Sequence, residues 1–299
     1  MTDKGNWSPT LIGSLKGRRA VITGADHGLG REIAMQLAVH GCAITMLGNE
    51  TERAGAVRAE LSAQQPDVSV DVAFVDLADL DSVAECAATM IDTGRPIDLL
   101  VNNAGVMMLP YGTTSQGFER HFGINHLGHF ALTGQLLPLL TSTPGSRVVT
   151  MASNGHKMPG LNFNDVCSGE DYNAMRAYGR SKLANLLFSQ ELARRLAASG
   201  YSTLSVAAHP GQSSTNPGNR KGLRAFIDSI VGQSPARGAN PALRAATDPA
   251  AVSGDYYGPG GFGELRGPAV RVKPSPAALD GDLANELWKR SEDWTGVNY

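Results

Sequence analysis

The chain has 299 residues, of which 42% are hydrophobic and 18% are charged, a composition that predicts a globular protein with one large core. The formal net charge is -2 and both signs are spread along the chain, which argues against nucleic acid or anionic lipid as a partner. No uninterrupted apolar run reaches the ~18 residues of a membrane-spanning helix, so we expect no membrane span.

Two further features predict a cytoplasmic protein. Met1 to Gly13 lacks the apolar core of a secretory signal. The three cysteines, Cys42, Cys86 and Cys167, cannot all pair and show no CxxC spacing. This pattern suits a reducing compartment and argues against a disulfide framework.

Short apolar runs alternate with amphipathic segments through the first 210 residues. This alternation predicts an α/β fold: a doubly wound, mostly parallel sheet of the Rossmann type with helices on both faces. The predicted strands are Ala20–Thr23, Cys42–Leu47, Val68–Val75, Ile97–Val101, Arg147–Met151 and Ser202–Ala208. The predicted helices are Leu29–His40, Thr51–Ala63, Asp79–Ile91, Ser115–Leu140 and Tyr172–Ala198.

Two features interrupt this pattern. Pro138 should end or kink the fourth helix near Leu137, because proline lacks the N–H of a helical bond. Scattered Gly, Pro, Asn and Asp residues over Asn154–Asp171 predict a long loop between a strand and a helix. Neither feature marks a domain boundary, so we predict an N-terminal extension of residues 1–14 followed by a single domain of residues 15–299.

After Pro210 the sequence becomes irregular. Residues 211–222 are polar, and helices are predicted at Leu223–Val231 and Pro235–Thr247. Because long loops in a compact domain are often functional lids, residues 211–233 are the candidate substrate loop.

A glycine-rich turn follows the first predicted strand and opens the first helix. Glycines permit close approach of the backbone to a pyrophosphate, while free amides and the positive end of the helix dipole attract the anion. The turn therefore predicts a dinucleotide site formed by Thr23, Gly24, His27, Gly28, Leu29 and Gly30. A second GxGxxG match begins at Gly258 but runs into Pro268 without a clean helix start, so we interpret it as a loop.

The tip of the second strand bears on the choice between NAD and NADP, since an acid there binds the ribose 2'-hydroxyl and a base the 2'-phosphate. Gly48 occupies the tip and Asn49 follows it, so no carboxylate repels a phosphate and NADP is favoured. Glu50 keeps NAD open. Three basic residues are either candidates for the phosphate or plain surface residues: Arg31, Arg53 and His27.

Tyr178 and Lys182 lie four residues apart in a strongly helical segment, so their side chains share one face. A neighbouring ammonium favours the phenolate and lowers the pKa of a tyrosine. Ser153 follows the fifth predicted strand, where open sheets bind their ligands, and its hydroxyl could bind a substrate oxygen. The three residues predict proton chemistry at a bound nicotinamide.

One ordered set of residues covers the chain from about Leu15 to Val297. It consists of Thr23-Gly24-(x)3-Gly28-x-Gly30, Asp76, Asn102-Asn103-Ala104-Gly105, Asn125, Ser153, Tyr178-(x)3-Lys182 and Pro210-Gly211-(x)3-Thr215. With this set the chain resembles the short-chain dehydrogenase/reductase family. The resemblance implies that Tyr178 is the catalytic acid/base and that Lys182 lowers its pKa and holds the ribose. It also implies that Ser153 positions the carbonyl and that Asn125 supports a proton-relay water.

The resemblance extends the cofactor site beyond the glycine turn. Asp76 would contact adenine, and Thr215 the nicotinamide carboxamide. Further cofactor contacts are implied for Asn49, Leu77, Asn103, Ala104, Gly105, Pro210 and Gly211, besides Tyr178 and Lys182.

Within the family the chain is most similar to the retinol dehydrogenase-like branch. Four segments support this: Asn125–Phe130, Ser153–His156, Ser181–Asn185 and the ending Leu287–Gly296. Asn49 stands where that branch usually carries Arg, so NADP and NAD both stay open.

Two other groups of residues bear on function. His121, His126 and His129 lack the spacing of metal ligands and are interpreted as helix residues near the cofactor groove, so we expect no metal.

Apolar residues after two strands suggest a lipophilic substrate, unless they are core or subunit-contact residues. They are Met107, Met108, Leu109, Pro110, Met158, Pro159, Leu161 and Phe163.

We therefore predict an enzyme, an NAD(P)-dependent oxidoreductase that transfers a hydride between nicotinamide and an alcohol/carbonyl pair. Two alternatives stay open: a nucleotide-sensing protein without turnover, and a reductase of the carbon-carbon double bond of an enone. The expected partner is a small molecule. Related enzymes often pair through the helix that matches the leucine-rich Tyr172–Ala198, so a homodimer or a homotetramer is possible, and the oligomeric state stays open.

Overall fold

One sheet forms the centre of the computed structural model, which describes residues 7–158, 160–163, 169, 171–211 and 233–299. Its order is β3-β2-β1-β4-β5-β6-β7-β8, and all neighbours are parallel except β7 and β8. The strands are β1 Arg19–Thr23, β2 Ala43–Gly48, β3 Val70–Phe74, β4 Leu99–Asn102, β5 Arg147–Met151, β6 Leu204–Ala208, β7 Tyr256–Pro259 and β8 Ala269–Arg271.

Helices cover both faces of this sheet. They are α1 Gly28–Val39, α2 Thr51–Gln64, α3 Leu80–Asp92, α4 Arg120–Phe122, α5 Gly128–Thr141, α6 Ala174–Ala198, α7 Pro235–Thr247 and α8 Gly281–Thr295. A π-helical turn, Gly123–Leu127, joins α4 to α5. The predicted doubly wound α/β sheet in a single domain is confirmed.

Alternate residues of each central strand enter different cores. Ala20 and Ile22 of β1 pack in a cluster with residues of α1, α2 and α7, whereas Val21 packs in a cluster with residues of α3, α5 and α6. Because both faces are covered, β1, β4 and β5 are buried along their whole length, as parallel strands usually are.

The strand order places the candidate functional residues along one edge. β2 and β3 lie on one side of β1, and β4 and the later strands lie on the other side. The direction in which successive strands are added to the sheet therefore reverses between β1 and β4. Open sheets bind ligands at the carboxyl ends of strands beside such a switch point. The segments that follow β1, β4, β5 and β6 all emerge at this edge, since these strands are parallel.

The helix predicted from Ser115 begins later, at Arg120. Gly117 has a φ of 83°, which interrupts a right-handed helix, and Thr113 forms a bridge with Glu119. The carboxylate of Glu119 then accepts from the amides of His121 and Phe122 and caps the helix.

The helix does not end near Leu137, and the kink at Pro138 stays a prediction. α5 continues through Pro138 to Thr141. Leu136 and Leu140, one turn apart, are fully buried. Burying a leucine is worth about 1.5 to 3 kcal/mol, which offsets the ~3 kcal/mol cost of proline in a helix interior.

The C-terminal third contains elements that the sequence did not suggest. The predicted helix Pro235–Thr247 is confirmed, but β7, β8 and α8 were not predicted. Gly258 of the second glycine motif lies in β7 rather than in a loop, and a single 3-10 turn, Phe262–Glu264, follows it. The predicted helix Leu223–Val231 lies outside the described residues, and the boundary at residue 14 stays a prediction.

The leucines of α6 are used inside the chain. Leu183, Leu186, Leu187, Leu192 and Leu196 are all buried in the protomer. They therefore give no support to an intersubunit contact through this helix. Across the ranges that the structure describes, we find no helix with the length and hydropathy to cross a membrane.

Candidate active site

The glycine turn between β1 and α1 has the geometry of an anion-binding loop. Gly24 and Gly28 have φ values of 63° and 54°, which favour glycine. A Cβ on Gly30 would lie 2.1 Å from the carbonyl oxygen of Gly24, so only glycine allows this close approach. His27 precedes α1 without a side-chain cap, which leaves the first amides of the helix for a ligand.

A cleft of about 320 Å³ opens above this turn. It contains most of the predicted cofactor residues: Gly24, His27, Gly28, Leu29, Gly30, Asn49, Asp76, Leu77, Asn103, Ala104 and Gly105. It is also lined by Gly48 and Glu50, which bear on the choice between NAD and NADP, and by residues that were not predicted: Asp26, Leu47, Val75, Val106 and Ile124. Most of the missed residues are chain neighbours of predicted ones, so widening each motif by one or two residues would have found them.

Thr23 supports the cleft from behind rather than lining it. It is fully buried, and its Oγ1 accepts from the amides of Asn103 and Ala104, both at 2.9 Å. Asn103 Nδ2 donates to the carbonyl oxygens of Thr23 and Gly24 at 2.8 and 3.2 Å. These bonds fasten the Asn-Asn-Ala-Gly segment after β4 to the glycine turn after β1.

The three histidines hold parts of the protein together. His129 Nε2 lies 2.9 Å from Thr23 Oγ1, and burial lowers the pKa of His129 to about 4, so the ring is neutral. His126 Nε2 lies 2.9 Å from Ser291 Oγ, and His121 Nδ1 lies 2.8 Å from Glu119 Oε1. Within the described ranges no three His, Cys, Asp or Glu side chains are arranged to hold a metal ion.

Charged side chains surround the cleft near Asn49. Arg53 Nη1 lies 3.1 Å from Asp26 Oδ2, and His27 Nδ1 lies 3.0 Å from the same oxygen. Arg53 Nη2 is 3.5 Å from Glu50 Oε2. Arg31 instead pairs with Glu60 of α2 at 2.5 Å. Of the three basic candidates, His27 lines the cleft, and Arg53 contacts two residues that line it.

Asp76 lies in the cleft as predicted. Its Oδ1 accepts from the amide of Ala78 at 2.9 Å, and the amide of Asp76 donates to Ser82 Oγ at 3.0 Å. The first bond orients the carboxylate, and the second fixes the backbone of Asp76 shortly before α3.

Tyr178 and Lys182 share one face of α6, as their spacing predicts. Lys182 Nζ is 5.8 Å from the centre of the Tyr178 ring and donates to the carbonyl oxygen of Met151 at 3.1 Å. Lys182 is buried, and burial lowers its pKa to about 8. The predicted proximity of phenol and amine is confirmed.

The pKa of Tyr178 is raised, not lowered as predicted. Burial is the larger cause, and a hydrogen bond with Ser153 opposes it only in part. A buried phenolate is poorly solvated, and the ammonium four residues away does not compensate for this loss. Tyr178 is therefore a neutral phenol at pH 7, the form that can donate a proton.

Ser153 occupies the N-cap of the 3-10 turn Asn154–Lys157. Its Oγ accepts from the amide of Gly155 at 3.2 Å and bonds with Tyr178. A Cβ on Gly155 would lie 3.3 Å from the Tyr178 ring, so this glycine lets the turn approach the phenol. Ser153 and Tyr178 thus present adjacent hydroxyls.

Asn125 lies in the π-helical turn, a geometry that is frequent at functional sites. Its Nδ2 donates to Val106 O and Ser181 Oγ at 3.0 and 2.9 Å, and its Oδ1 accepts from the Val106 amide at 2.8 Å. A Cβ on Gly105 would lie 3.0 Å from Asn125 Oδ1 and 3.4 Å from Lys182 Nζ. Since Gly105 and Val106 also line the cleft, Asn125 and Lys182 lie beside it. The relay water at Asn125 stays a prediction.

Pro210 and Gly211 follow β6, next to Ser153. Gly211 has a φ of 67°, and the carbonyl oxygen of Pro210 accepts from Gln233 Nε2 at 2.7 Å. Neither lines the cleft, and Thr215 lies outside the described residues. Gln233 was not predicted, because no local motif marks it.

The fold and the residues at this edge define a nicotinamide-dependent oxidoreductase that acts on CH–OH groups. The family model described as short chain dehydrogenase matches residues 18–222, more than half of the chain. The chain therefore belongs to the short-chain dehydrogenase family. Human retinol dehydrogenase 13 is 36% identical over 296 residues, which cover 95% of this chain and 86% of the human protein.

Two solved structures are also similar. An uncharacterized protein from Mycobacterium paratuberculosis is 36% identical, with a TM-score of 0.82 and coverage of 99% of both chains. The complex of RhlG with NADP from Pseudomonas aeruginosa is 26% identical, with a TM-score of 0.65 and coverage of 81% of this chain and 94% of RhlG.

Proposed function

We propose that the protein interconverts a lipophilic alcohol and its aldehyde or ketone with NADP(H). The observation that carries the reaction is the group of Tyr178, Ser153 and Lys182 beside the cleft. The nucleotide supplies the hydride when bound, and the protein supplies orientation and proton transfer.

The proposed catalysis follows from the protonation states of these residues. Ser153 Oγ and Tyr178 Oη both hydrogen-bond the carbonyl oxygen of the substrate and favour negative charge on it. As the carbonyl carbon accepts the hydride, the neutral phenol of Tyr178 gives its proton to the oxygen, and the alcohol forms. Lys182 lies near the resulting phenolate and stabilises its charge. The reverse sequence oxidises the alcohol.

A lipophilic substrate is proposed from the surface beside the cleft. Met107, Met108 and Tyr111 follow β4 and are each 45% to 47% exposed, which brings three large apolar side chains to the carboxyl edge. Leu161 and Phe163 pack instead against a buried cluster and do not belong to this surface. The name of human retinol dehydrogenase 13 indicates a lipophilic alcohol for that relative.

The substrate proposal is tested by initial rates with NADPH across retinoids, steroids, long-chain aldehydes and a polar sugar. We expect the highest kcat/KM with a long-chain or polycyclic carbonyl compound. Good turnover of the sugar and none of the lipophilic compounds would contradict the proposal.

NADP(H) is proposed because Asn49 presents no carboxylate to a 2'-phosphate, while His27 lines the cleft and Arg53 contacts Asp26 and Glu50, which line it. The complex of RhlG with NADP supports this choice. Arg53 pairs with Asp26 and Glu50, so it would have to exchange these partners for the phosphate.

Replacement of Arg53 tests this choice of nucleotide. Loss of one charge-assisted bond to the phosphate should raise KM for NADPH about tenfold in Arg53→Ala and leave KM for NADH nearly unchanged. Arg58→Ala is the matched control, because Arg58 is an exposed arginine of the same helix. Equal changes for both nucleotides in Arg53→Ala would refute a phosphate contact.

We also propose a cytoplasmic location. Cys42 and Cys86 are buried free thiols, and burial raises their pKa values to about 12 and about 11, so they resist oxidation. Fractionation that recovers the protein from a secreted or membrane fraction would contradict this location.

A further inference from the structure

Three loops meet beside Ser153 at the carboxyl edge of the sheet. They are the 3-10 turn Asn154–Lys157 after β5, residues 209–211 after β6, and residues 260–268 between β7 and β8. Asn154 Nδ2 donates to the carbonyl oxygens of Gly263 and Glu264, both at 3.3 Å. The third loop, far from the others in sequence, is thus bonded directly to the turn that contains Ser153.

Glu264 connects all three loops through one carboxylate oxygen. Its Oε2 lies 3.1 Å from Lys157 Nζ and 3.1 Å from His209 Nε2. The contacts with His209 and Lys157 lower the pKa of Glu264 to about 2, so the group is a carboxylate at pH 7. No motif in the sequence predicts these contacts.

The hydrogen bonds of His209 fix its tautomer. The amide of Gly211 donates to His209 Nδ1 at 3.2 Å, so this nitrogen is an acceptor without a proton. Burial lowers the pKa of His209, and the neutral ring therefore carries its single proton on Nε2, which is next to Glu264. Lys157, Glu264, His209 and the Gly211 amide therefore follow one another at short distances, and the link between Glu264 and His209 Nε2 is a polar contact at 3.1 Å without the alignment of a hydrogen bond.

The surroundings hold this path in one geometry. His209 is fully buried, its ring centre is 5.2 Å from that of Tyr256, and a Cβ on Gly258 would lie 2.0 Å from its Nε2. Glu264 has a φ of 57°, a left-handed conformation that a residue with a side chain rarely adopts. Such strain persists only where the surrounding structure imposes it, and it is concentrated at functional sites.

We propose that Glu264 is a positioning residue, which orients His209 and through it the Gly211 amide, and which ties this segment to the Ser153 turn through Lys157. The inference deepens the proposed function, on which its kinetic test rests. Ser153 and residues 209–211 follow adjacent strands, since Met151 pairs with Ala208, so Glu264 sets the spacing of two segments that flank the reacting atoms.

The kinetic test compares Glu264→Ala, Glu264→Gln and the control Glu286→Gln, which breaks an exposed ion pair with Arg290 in α8. We expect Glu264→Ala to lower kcat tenfold or more and to change KM for NADPH less than threefold. Glu264→Gln should recover most of kcat, because its amide oxygen still places negative partial charge beside the N–H at His209 Nε2. The control should match the wild type.

Two kinetic results would overturn the proposal. One is a kcat for Glu264→Ala within twofold of the control. The other is an equal loss in Glu264→Ala and Glu264→Gln, since a residue that acts through an oxygen beside His209 Nε2 must be rescued by another oxygen at that place.

If the wild type turns over no substrate, only the proposed function fails. Hydrogen exchange then still tests the positioning role of Glu264. Exchange of peptides that cover residues 153–158 and 205–211 should be faster in Glu264→Ala than in Glu286→Gln, with the remaining sheet unchanged. Unchanged exchange in these peptides, or faster exchange throughout the chain, would overturn the positioning role.

Discussion

Lys182 illustrates how the active site and the stability of the fold oppose each other. Its amine is buried next to Gly105, which lines the cleft, and burial lowers its pKa from 10.5 to about 8. At pH 7 the folded protein therefore carries an ammonium in a poorly solvated place. We infer that the reaction, rather than the packing, requires a lysine at this position.

Lys182→Met should stabilise the protein by about 1 to 3 kcal/mol at pH 7, because it removes the cost of burying a charge. Below pH 8 Lys182 is protonated in both the folded and the unfolded wild type, so the full free-energy cost of burying its charge applies. Between pH 8 and 10.5 the folded state releases the proton first, and the cost declines as pH rises. Urea unfolding at several pH values measures the difference.

The control for this prediction is Lys289→Met, which replaces an exposed lysine of α8 and should change stability by less than about 0.5 kcal/mol. Two results would contradict the cost assigned to burying the Lys182 charge. One is a Lys182→Met variant that is less stable than the wild type, and the other is a gain in its free energy of unfolding that does not shrink between pH 8 and 10.5.

Residues that act through local spacing could be predicted from the sequence, and residues joined only by the fold could not. Tyr178 and Lys182 meet because they are four apart on one helix. Glu264 is more than 50 residues from His209 and more than 100 from Lys157, and only the packing of β7 beside β6 brings them together. The raised pKa of Tyr178 could not be predicted from the sequence either, because the effect of burial on this pKa outweighs the effect of the neighbouring amine.

At the scale of elements, the junction between β1 and α1 depends on the absence of one side chain. Gly30→Ala would place a Cβ 2.1 Å from the carbonyl oxygen of Gly24. We expect a loss of about 1 to 3 kcal/mol in stability and at least a tenfold weaker binding of NADPH, because the turn must open. Fluorescence titration with NADPH and urea unfolding measure the two effects.

Gly55→Ala provides the matched comparison. Gly55 lies inside α2, and a Cβ there would have no atom within 4 Å. Alanine should stabilise the helix by about 0.5 to 1 kcal/mol and leave NADPH binding unchanged. If both alanine variants bind NADPH like the wild type, the turn is not the pyrophosphate site.

The elements that were missed have identifiable causes. β7 reads Tyr-Tyr-Gly-Pro and β8 has three residues, so neither contains a long apolar alternation. Helix α8 had recognisable end signals: Asp280 caps its first turn, and Gly296 ends it with a φ of 68°. Attention to caps, rather than to apolar runs alone, would have predicted α8.

At the scale of the whole molecule, α8 completes the core on one face of the sheet. Trp288 is buried there, with its ring centre 5.2 Å from that of Phe130, 5.8 Å from Phe188 and 4.5 Å from Tyr299. Arg195 of α6 lies over the same ring at 4.4 Å. This cluster joins α5, α6 and the C-terminal segment.

Trp288→Ala should therefore lower the free energy of unfolding by roughly 3 to 5 kcal/mol, through lost contacts and a cavity. Leu279→Ala, which truncates a side chain that is 59% exposed, should cost less than about 0.5 kcal/mol. Urea unfolding compares the two variants. A cost for Trp288→Ala as small as that of the control would mean that α8 does not contribute to the cooperative core.

The central claim is that the protein reduces a carbonyl compound with a proton from Tyr178. The most direct measurement is single-turnover oxidation of bound NADPH by the best carbonyl substrate, in wild type and in Tyr178→Phe, which keeps the ring and removes the hydroxyl. We expect the rate to fall about 10² to 10⁴-fold while NADPH binding is retained. Turnover by Tyr178→Phe at the wild-type rate would contradict the claim.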